Sequence, residues 1–577
     1  MPCIRVENEA AGPPGTPPGR RLISRSRLAL CAALALCALA VLQHLLVLAG
    51  FGDLLPGGQP WPLLLGAALA WPVLRRRFSG NGPPPLPGPV RRVLRAVRRV
   101  PVALWLLGAL ALAAGVWAWL QDKEPWIGHE EAVYANKARS WYDGTPDAGW
   151  GPYRPLGLPA LGRIALEIHP GVGALRAVAL VLTLGALLTV HLVAARWLAS
   201  PRRAVVVVLV LLSGVGFLRR VPEFLTDIGV TALLLWLLLL LVRAQENPAG
   251  RALDAVPLVT LAAFYLRYGV VGNLLAITVA ALLCYGPRSW LRHSRRLARA
   301  GAVLLVGLLP HLVHATVVTG SPVGLLTWAT HQAERGFVGD GFLYYLAIFP
   351  YRLAGDLGAI VMAAGAVAAF RAARRLWRAH RGAAPPVPVA AEDRRTAFLG
   401  CCALLIPLVL GVATDGEPRF VYVPVVLLTI LGVGRLADLA GSLVPALLAA
   451  VAAMAVLTVL GTARVIADVA MAAPNAQRKS TVPVALELRN DGRPCLLVTG
   501  YEPDLGWYSG CDAVTYGQFR RMSPPPGTLV RLVLFEKGRD QPGAAALERL
   551  IGDRHGGSRT VPTEGSLGDA TVITLTP

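Results

Sequence analysis

Charge is what this sequence has least of. Only 16% of its 577 residues are Asp, Glu, Lys or Arg, against 55% apolar, and the mean hydropathy is +0.54. Soluble domains carry roughly a quarter charged residues, so a globule of this size could not cover its surface, and a water-soluble fold is excluded. Cysteine is sparse as well: eight in all, with no CxxC pair, and the ten histidines show no metal-ligand spacing. No cofactor is expected, and ligand spacing does not support a divalent metal. Internal repeats are also missing, which tells against the matched halves of many secondary transporters.

Long apolar runs take the place of charge. About thirteen approach the length that crosses roughly 30 Å of hydrocarbon at 1.5 Å per residue. They begin near residue 28 and end near 464, and include 204–218, the adjacent pair 253–267 and 269–286, and 353–370. The pattern predicts a polytopic α-helical membrane protein. The formal net charge of +22 comes from 56 basic and 34 acidic residues. Most basic residues sit in short connectors, where they set topology, so membrane lipid is an expected partner and nucleic acid is not.

Residues 75–99 hold eight arginines and no acid, whereas residues 122–170 hold five basic and seven acidic residues. The arginine excess marks the first stretch as cytoplasmic and the second as external. Alternation then puts "PRSWLRHSRRLAR" and "RAARRLWRAHRG" inside and the loops near Asp227, Trp328 and Arg419 outside. The chain divides into a cytoplasmic tail 1–27, an accessory transmembrane hairpin 28–74, and a basic Pro/Gly-rich cytoplasmic linker 75–100. A transmembrane core 101–465 with external loop 122–170 follows, then an extracytoplasmic domain 466–577. The first apolar segment runs beyond about twenty residues, which favours an anchor over a cleaved signal peptide. A multi-pass cell-membrane protein with a cytoplasmic N-terminus is expected.

In the external tail, "CLLVTG", "LVRLVLFE" and "ATVITLTP" read as strands and "GAAALERLIGD" as an amphipathic helix, predicting a small α/β domain. Cys495 and Cys511 are its two cysteines, and a disulfide is expected across the fifteen residues between them. Trp507, Tyr508 and Tyr516 serve either an acceptor glycan or the domain's own core.

"GHEEAVYANKARSW", residues 128–141, is conspicuously polar in this setting. On a helix, Glu130, Tyr134, Lys137 and Trp141 share one face, and Glu131, Ala135, Ala138 and Tyr142 the adjacent one. Acids in a first turn favour the positive end of the helix dipole and by themselves need no chemistry. Further on, "GWGPYRPLGLP" holds Arg154 between Tyr153 and Pro155 in a stiff stretch. A guanidinium there suits a phosphate, of a substrate or of a lipid headgroup. Asp227 opens an apolar helix, either as part of its cap or as part of a site, and Arg267 needs the interface or a partner acid. The stretch "TWATHQAERGF", with Trp328 and His331, reads as a gate over a donor or as an interfacial belt.

"HEEAVYANKARSWYDG" followed by "YRPLGLP" resembles the first-loop signature of the GT-C membrane glycosyltransferases, the superfamily of protein O-mannosyltransferases and the lipid A aminoarabinose transferase. "RRVPEFLTDIGVTALLLW" and "EPRFVYVP" resemble two later elements, so the likeness covers about residues 100–440. The sequence departs from the pattern in Glu130, where aspartate is usual, in Val133, where a basic residue is common, and in Phe420, where a tyrosine stands, with Tyr422 nearby. The composition fits a high-GC, actinobacterial member of the superfamily.

The resemblance implies an inverting transfer of a hexose or pentose from a polyprenyl-monophosphate donor to an extracytoplasmic glycan, lipid or protein, and the high-GC composition goes with a decaprenyl or undecaprenyl carrier by association alone. Phosphate is already a good leaving group, so one base suffices. The implied base is Glu130, with Glu131 orienting the acceptor or the helix. Arg154 is the first choice for the phosphate, followed by Arg419 and Lys137, and Tyr134, Tyr153, Asp227 and His331 complete the expected site. The rival classes are a secondary transporter or lipid-linked sugar flippase, and a structural scaffold.

Overall fold

The computed structural model describes residues 25–49, 62–63, 65–70, 88, 92, 95–96, 99–143, 154–331, 337–348, 351–380, 391–489 and 491–576. Nine helices among these are long and apolar enough to cross a membrane: Cys31–Leu48, Val102–Lys123, Val172–Leu198, Asp227–Glu246, Ser294–Thr319, Leu353–Ala379, Ala391–Ala413, Pro418–Ala440 and Val444–Ala470. Two shorter apolar helices, Ala252–Leu266 and Val270–Tyr285, join them. The chain is thus a polytopic α-helical membrane protein. Its periphery is apolar, with Leu283, Val306 and Leu404 each 62–67% exposed, a pattern that lipid accommodates and water does not. The second limb of the expected hairpin, 58–74, lies mostly outside the described residues.

Two expected crossings are interrupted. The run 204–218 breaks at Ser213–Gly214 into Pro201–Leu212 and Val215–Leu218, and Tyr351–His380 kinks at Gly355, whose φ is 68°. At 15 and 16 residues, Ala252–Leu266 and Val270–Tyr285 span only about 22–24 Å each. They meet at Arg267–Gly269, a turn that faces inward and lines a cavity.

The centre of the bundle is formed by Pro418–Ala440, 72% buried, and Asp227–Glu246, 67% buried, whereas Ser294–Thr319 is 11% buried and peripheral. The first of these packs tightly on Tyr351–His380. A Cβ at Gly432 would stand 1.9 Å from the Val361 carbonyl oxygen, and one at Gly365 would stand 2.1 Å from that of Leu428. The missing side chains let the backbones approach and fix the height at which Arg419 starts its helix.

The helix Val444–Val465 continues through Ile466–Ala470 into Ala472–Glu487, so the expected boundary at 466 falls within helical chain. Beyond it lies a five-stranded sheet of β1 (Cys495–Val498), β2 (Asp512–Val514), β3 (Leu529–Phe535), β4 (His555–Val561) and β5 (Ala570–Leu575), in the order β2-β1-β3-β5-β4. β1 pairs in parallel with β2 and β3, while β5 is antiparallel to β3 and β4. Alternation along β3 sends Val530 and Leu532 to one face with Tyr516 and Leu550, and Val533 and Phe535 to the other with Leu505 and Val484, as a period of two requires. A disulfide joins Cys495 to Cys511.

Candidate active site

The polar segment forms the helix His129–Asp143, with Glu130 and Glu131 in its first turn. Glu131 is 2% exposed. One of its oxygens accepts from the Gly128 backbone at 2.9 Å and from Arg176 Nη2 at 3.0 Å, the other from the Phe224 backbone at 2.8 Å and Arg176 Nε at 3.2 Å. Burial alone pushes this carboxyl up, but Arg176 and the two backbone donors bring it below the usual range, so it stays ionised. Arg176 also donates to the carbonyls of Glu124 and Trp126. Expected to orient the acceptor or the helix, Glu131 is turned away from the cavity and anchors the helix.

Glu130, rotated by about 100° from Glu131, lines a cavity of about 580 Å³. Its two oxygens accept from Arg419 Nη1 and Nη2, each at 2.5 Å, while its side chain keeps 36% exposure. Burial would raise this carboxyl, yet the Arg419 pair, with Arg154 and Arg220 nearby, lowers it to about 2. Arg419 is itself 9% exposed and lies 3.6 Å from a Glu417 oxygen. Its Nε has no hydrogen-bond partner among the described residues.

Two further guanidiniums face the cavity. Arg267, from the inward turn, pairs with Asp227 and stacks 4.0 Å from the centre of the Phe420 ring, while Arg419 stands 5.6 Å from the same ring. The ring gives both cations an electron-rich neighbour and eases their proximity. Asp227 supplies the partner acid that Arg267 needed, and Thr226 makes no side-chain capping bond. Arg154 lies 5.4 Å from the Tyr134 ring centre and has no carboxylate partner among the described residues. Lys137, 5% exposed, is off the cavity wall and donates to the Arg154 carbonyl at 3.1 Å. It therefore supports the backbone that carries Arg154.

Glu130, Tyr134, Arg154, Asp227 and Arg419 thus share one cavity, although they are scattered over nearly three hundred residues of chain. Tyr153 and the side chains of Trp328 and His331 lie outside the described residues; Leu326 and Thr327, on the same helix as the last two, reach the cavity. Tyr422 is buried, bonded to the Gly216 carbonyl, and off the cavity wall. Sequence reasoning missed Arg176 and the Arg220–Glu223 pair. The signal for Arg176 was an arginine near the start of an apolar, membrane-length helix, which has to find a carboxylate.

The C-terminal domain holds the helix His129–Asp143 from the side. Its helix Glu502–Ser509 offers the carbonyl of Pro503 to Asn136 at 3.0 Å and that of Gly506 to Arg139 at 2.8 Å, and the Tyr508 hydroxyl accepts from the Ile127 backbone at 2.8 Å. Arg478 pairs with Glu124 beside this contact. Trp507 and Tyr508 are therefore engaged in docking, and Tyr516 in the domain's own core.

No known protein family matches the chain, and neither does any curated protein sequence. Among solved structures it is similar to ArnT from Cupriavidus metallidurans bound to undecaprenyl phosphate, with 15% identity and a TM-score of 0.59 over 82% of this chain and 98% of that one. The apo state of the same protein gives 14% identity and a TM-score of 0.60 with the same coverage. The likeness is one of fold.

Proposed function

We propose that the protein is an inverting glycosyltransferase that moves a sugar from a polyprenyl-monophosphate carrier to an acceptor hydroxyl at the outer face of the cell membrane. The observation that carries this reading is the polarity of the cavity. Its lining has two chemical parts: charged side chains, namely Glu130, Asp227, Asp415, Glu417 and the guanidiniums of Arg154, Arg267 and Arg419, and apolar ones that include Val230, Leu234, Val271, Leu275 and Val409. A phosphate on an isoprenoid chain matches both parts, and undecaprenyl phosphate, bound in a protein of the same fold, belongs to this class. Arginine-rich connectors at the far ends of the helices support placing the cavity and the C-terminal domain outside.

Arg154, without a carboxylate partner among the described residues, takes the single negative charge of the donor phosphodiester. Glu130 accepts the acceptor's hydroxyl proton as that oxygen attacks the anomeric carbon from the face opposite the phosphate. The anomeric C–O bond breaks, its electron pair goes to phosphate oxygen, and Arg267 and Arg419 stabilise the growing charge. A single displacement inverts the centre. The sugar is a hexose or pentose, and the acceptor is a glycan, lipid or protein reaching the cavity from the C-terminal-domain side. The test is transfer of radiolabelled sugar from a defined polyprenyl-phosphate sugar by the purified protein. Label that moves across proteoliposomes without changing its covalent attachment would support a flippase instead.

A further inference from the structure

We infer that the donor phosphate docks on the unfilled Nε edge of Arg419 and, by drawing Nη2 away from Glu130, frees one carboxylate oxygen to act as base. This rests on the donor reading proposed above and adds an order of events to it.

The two ends of the ion pair are unequal in what they leave over. Glu130 uses both oxygens on Nη1 and Nη2 at 2.5 Å, so its most basic lone pairs point into a cation and not toward an acceptor hydroxyl. Arg419 uses only its end edge. Its Nε is a buried donor without a partner among the described residues, on a side chain 9% exposed that lines the cavity, and a buried donor of this kind calls for a ligand or an ordered water. The Nε and Nη2 hydrogens form the second of the guanidinium's two-pronged edges, which matches two phosphate oxygens. Nη2 belongs to both edges, and Glu417 already lies 3.6 Å from it. A third anion arriving there weakens its hold on Glu130 Oε1.

The groups facing Glu130 make the exchange directional. Besides Arg419, the nearby charges are Arg154, Arg267, which is paired with Asp227, and Arg220, which is committed to Glu223, while His129, its ring lowered to about 4 chiefly by burial, is neutral near pH 7. With phosphate on Arg419 and Arg154, the freed Oε1 accepts the hydroxyl proton while the acceptor oxygen bonds the anomeric carbon and the sugar–phosphate bond releases its electron pair to the phosphate. Loss of that proton to water restores the carboxylate, which re-forms its pair with Arg419 and competes with the phosphate product.

The experiment measures binding of a polyprenyl phosphate to the full-length protein in nanodiscs for wild type, Glu130→Gln, Arg419→Gln and the double variant. Exchange predicts that Glu130→Gln binds about tenfold tighter, and that the gain disappears when Arg419 is already glutamine. A gain of equal size in both backgrounds means simple repulsion and overturns the inference, as does no gain. Should Arg419→Gln not fold, a structure of the wild-type complex decides: phosphate oxygen on Arg419 Nε with one Glu130 oxygen out of reach supports it, and an intact two-bond pair overturns it. Absence of any polyprenyl phosphate binding by wild type would instead count against the functional reading itself.

Discussion

The Trp507 carbonyl accepts a hydrogen bond from Arg139 at 2.5 Å, and the same guanidinium lies 5.0 Å from the centre of the Trp507 ring. One arginine thus joins the helix His129–Asp143 to the C-terminal domain by both a polar and a π contact, at the negative end of the helix Glu502–Ser509. Arg139→Ala is expected to lower the turnover number about tenfold with little change in donor affinity, because Glu130 is displaced while the phosphate contacts remain. Steady-state kinetics that separate kcat from KM, alongside limited proteolysis of the C-terminal domain, check this.

Glu130→Gln should lower transfer by about 10²–10⁴-fold, the usual worth of a general base, while the protein still assembles. Glu130→Asp should retain more activity than the glutamine variant. In the free enzyme Arg419 outweighs burial and holds the Glu130 carboxyl at about 2. The pH profile of kcat/KM for the donor should therefore show no acid limb from this group between about pH 5 and 8, whereas kcat should show a limb at higher pH once the pair has loosened. Coincident limbs in the two profiles would contradict the exchange.

Removing Arg176 leaves a buried carboxylate with two backbone donors only. Arg176→Met is expected to destabilise by about 3–5 kcal/mol, read as a marked fall in the thermal midpoint or in yield from the membrane. Because the Glu131 carboxyl is lowered on folding, chiefly by Arg176 against the opposing effect of burial, the pair's contribution is full above the ordinary carboxylate range. It fades as pH falls below that range. The Arg176→Met variant should lose that acid-dependent component.

Asp504, in the first turn of the helix Glu502–Ser509, is 2% exposed, and its Oδ1 has no partner among the described residues. Burial raises its carboxyl to about 7, against the opposing pull of Arg478 and Arg539. The folded state therefore holds the proton more tightly than the unfolded chain, and stability is lost as pH rises from about 4 through 7. Asp504→Asn should flatten this slope and raise the thermal midpoint at pH 8 by about 2–4 °C. An unchanged slope would show that the carboxyl is hydrated or paired in solution.

Helix-forming apolar runs, the basic connectors and the α/β tail are properties of local sequence, so the membrane fold could be read without coordinates. The breaks could not. Ser213–Gly214 interrupts an apolar run only because Gly214 must lie against the Leu353 carbonyl, a contact with a residue 139 positions later. Within the site, Glu130, Arg154, Asp227 and Arg419 stood out as charges beside apolar segments. Their partners depended on packing between distant helices. The neighbouring acids of "HEEA" were given different roles by resemblance alone, and their surroundings separate them physically, Arg176 enclosing Glu131 and the cavity receiving Glu130. Arg267 looked costly until Asp227, forty residues earlier, was brought beside it.

The two short helices that meet at Arg267 imply a hydrophobic mismatch. A pair only about 22–24 Å long is shorter than a hydrocarbon slab of roughly 30 Å, and a dip of the surrounding leaflet beside them would relieve the mismatch. Such a dimple would carry water and headgroups down to the guanidinium, and a carrier lipid could present its phosphate there without crossing dry hydrocarbon. Turnover in reconstituted vesicles should then depend on acyl-chain length, falling in thicker bilayers that resist the dip.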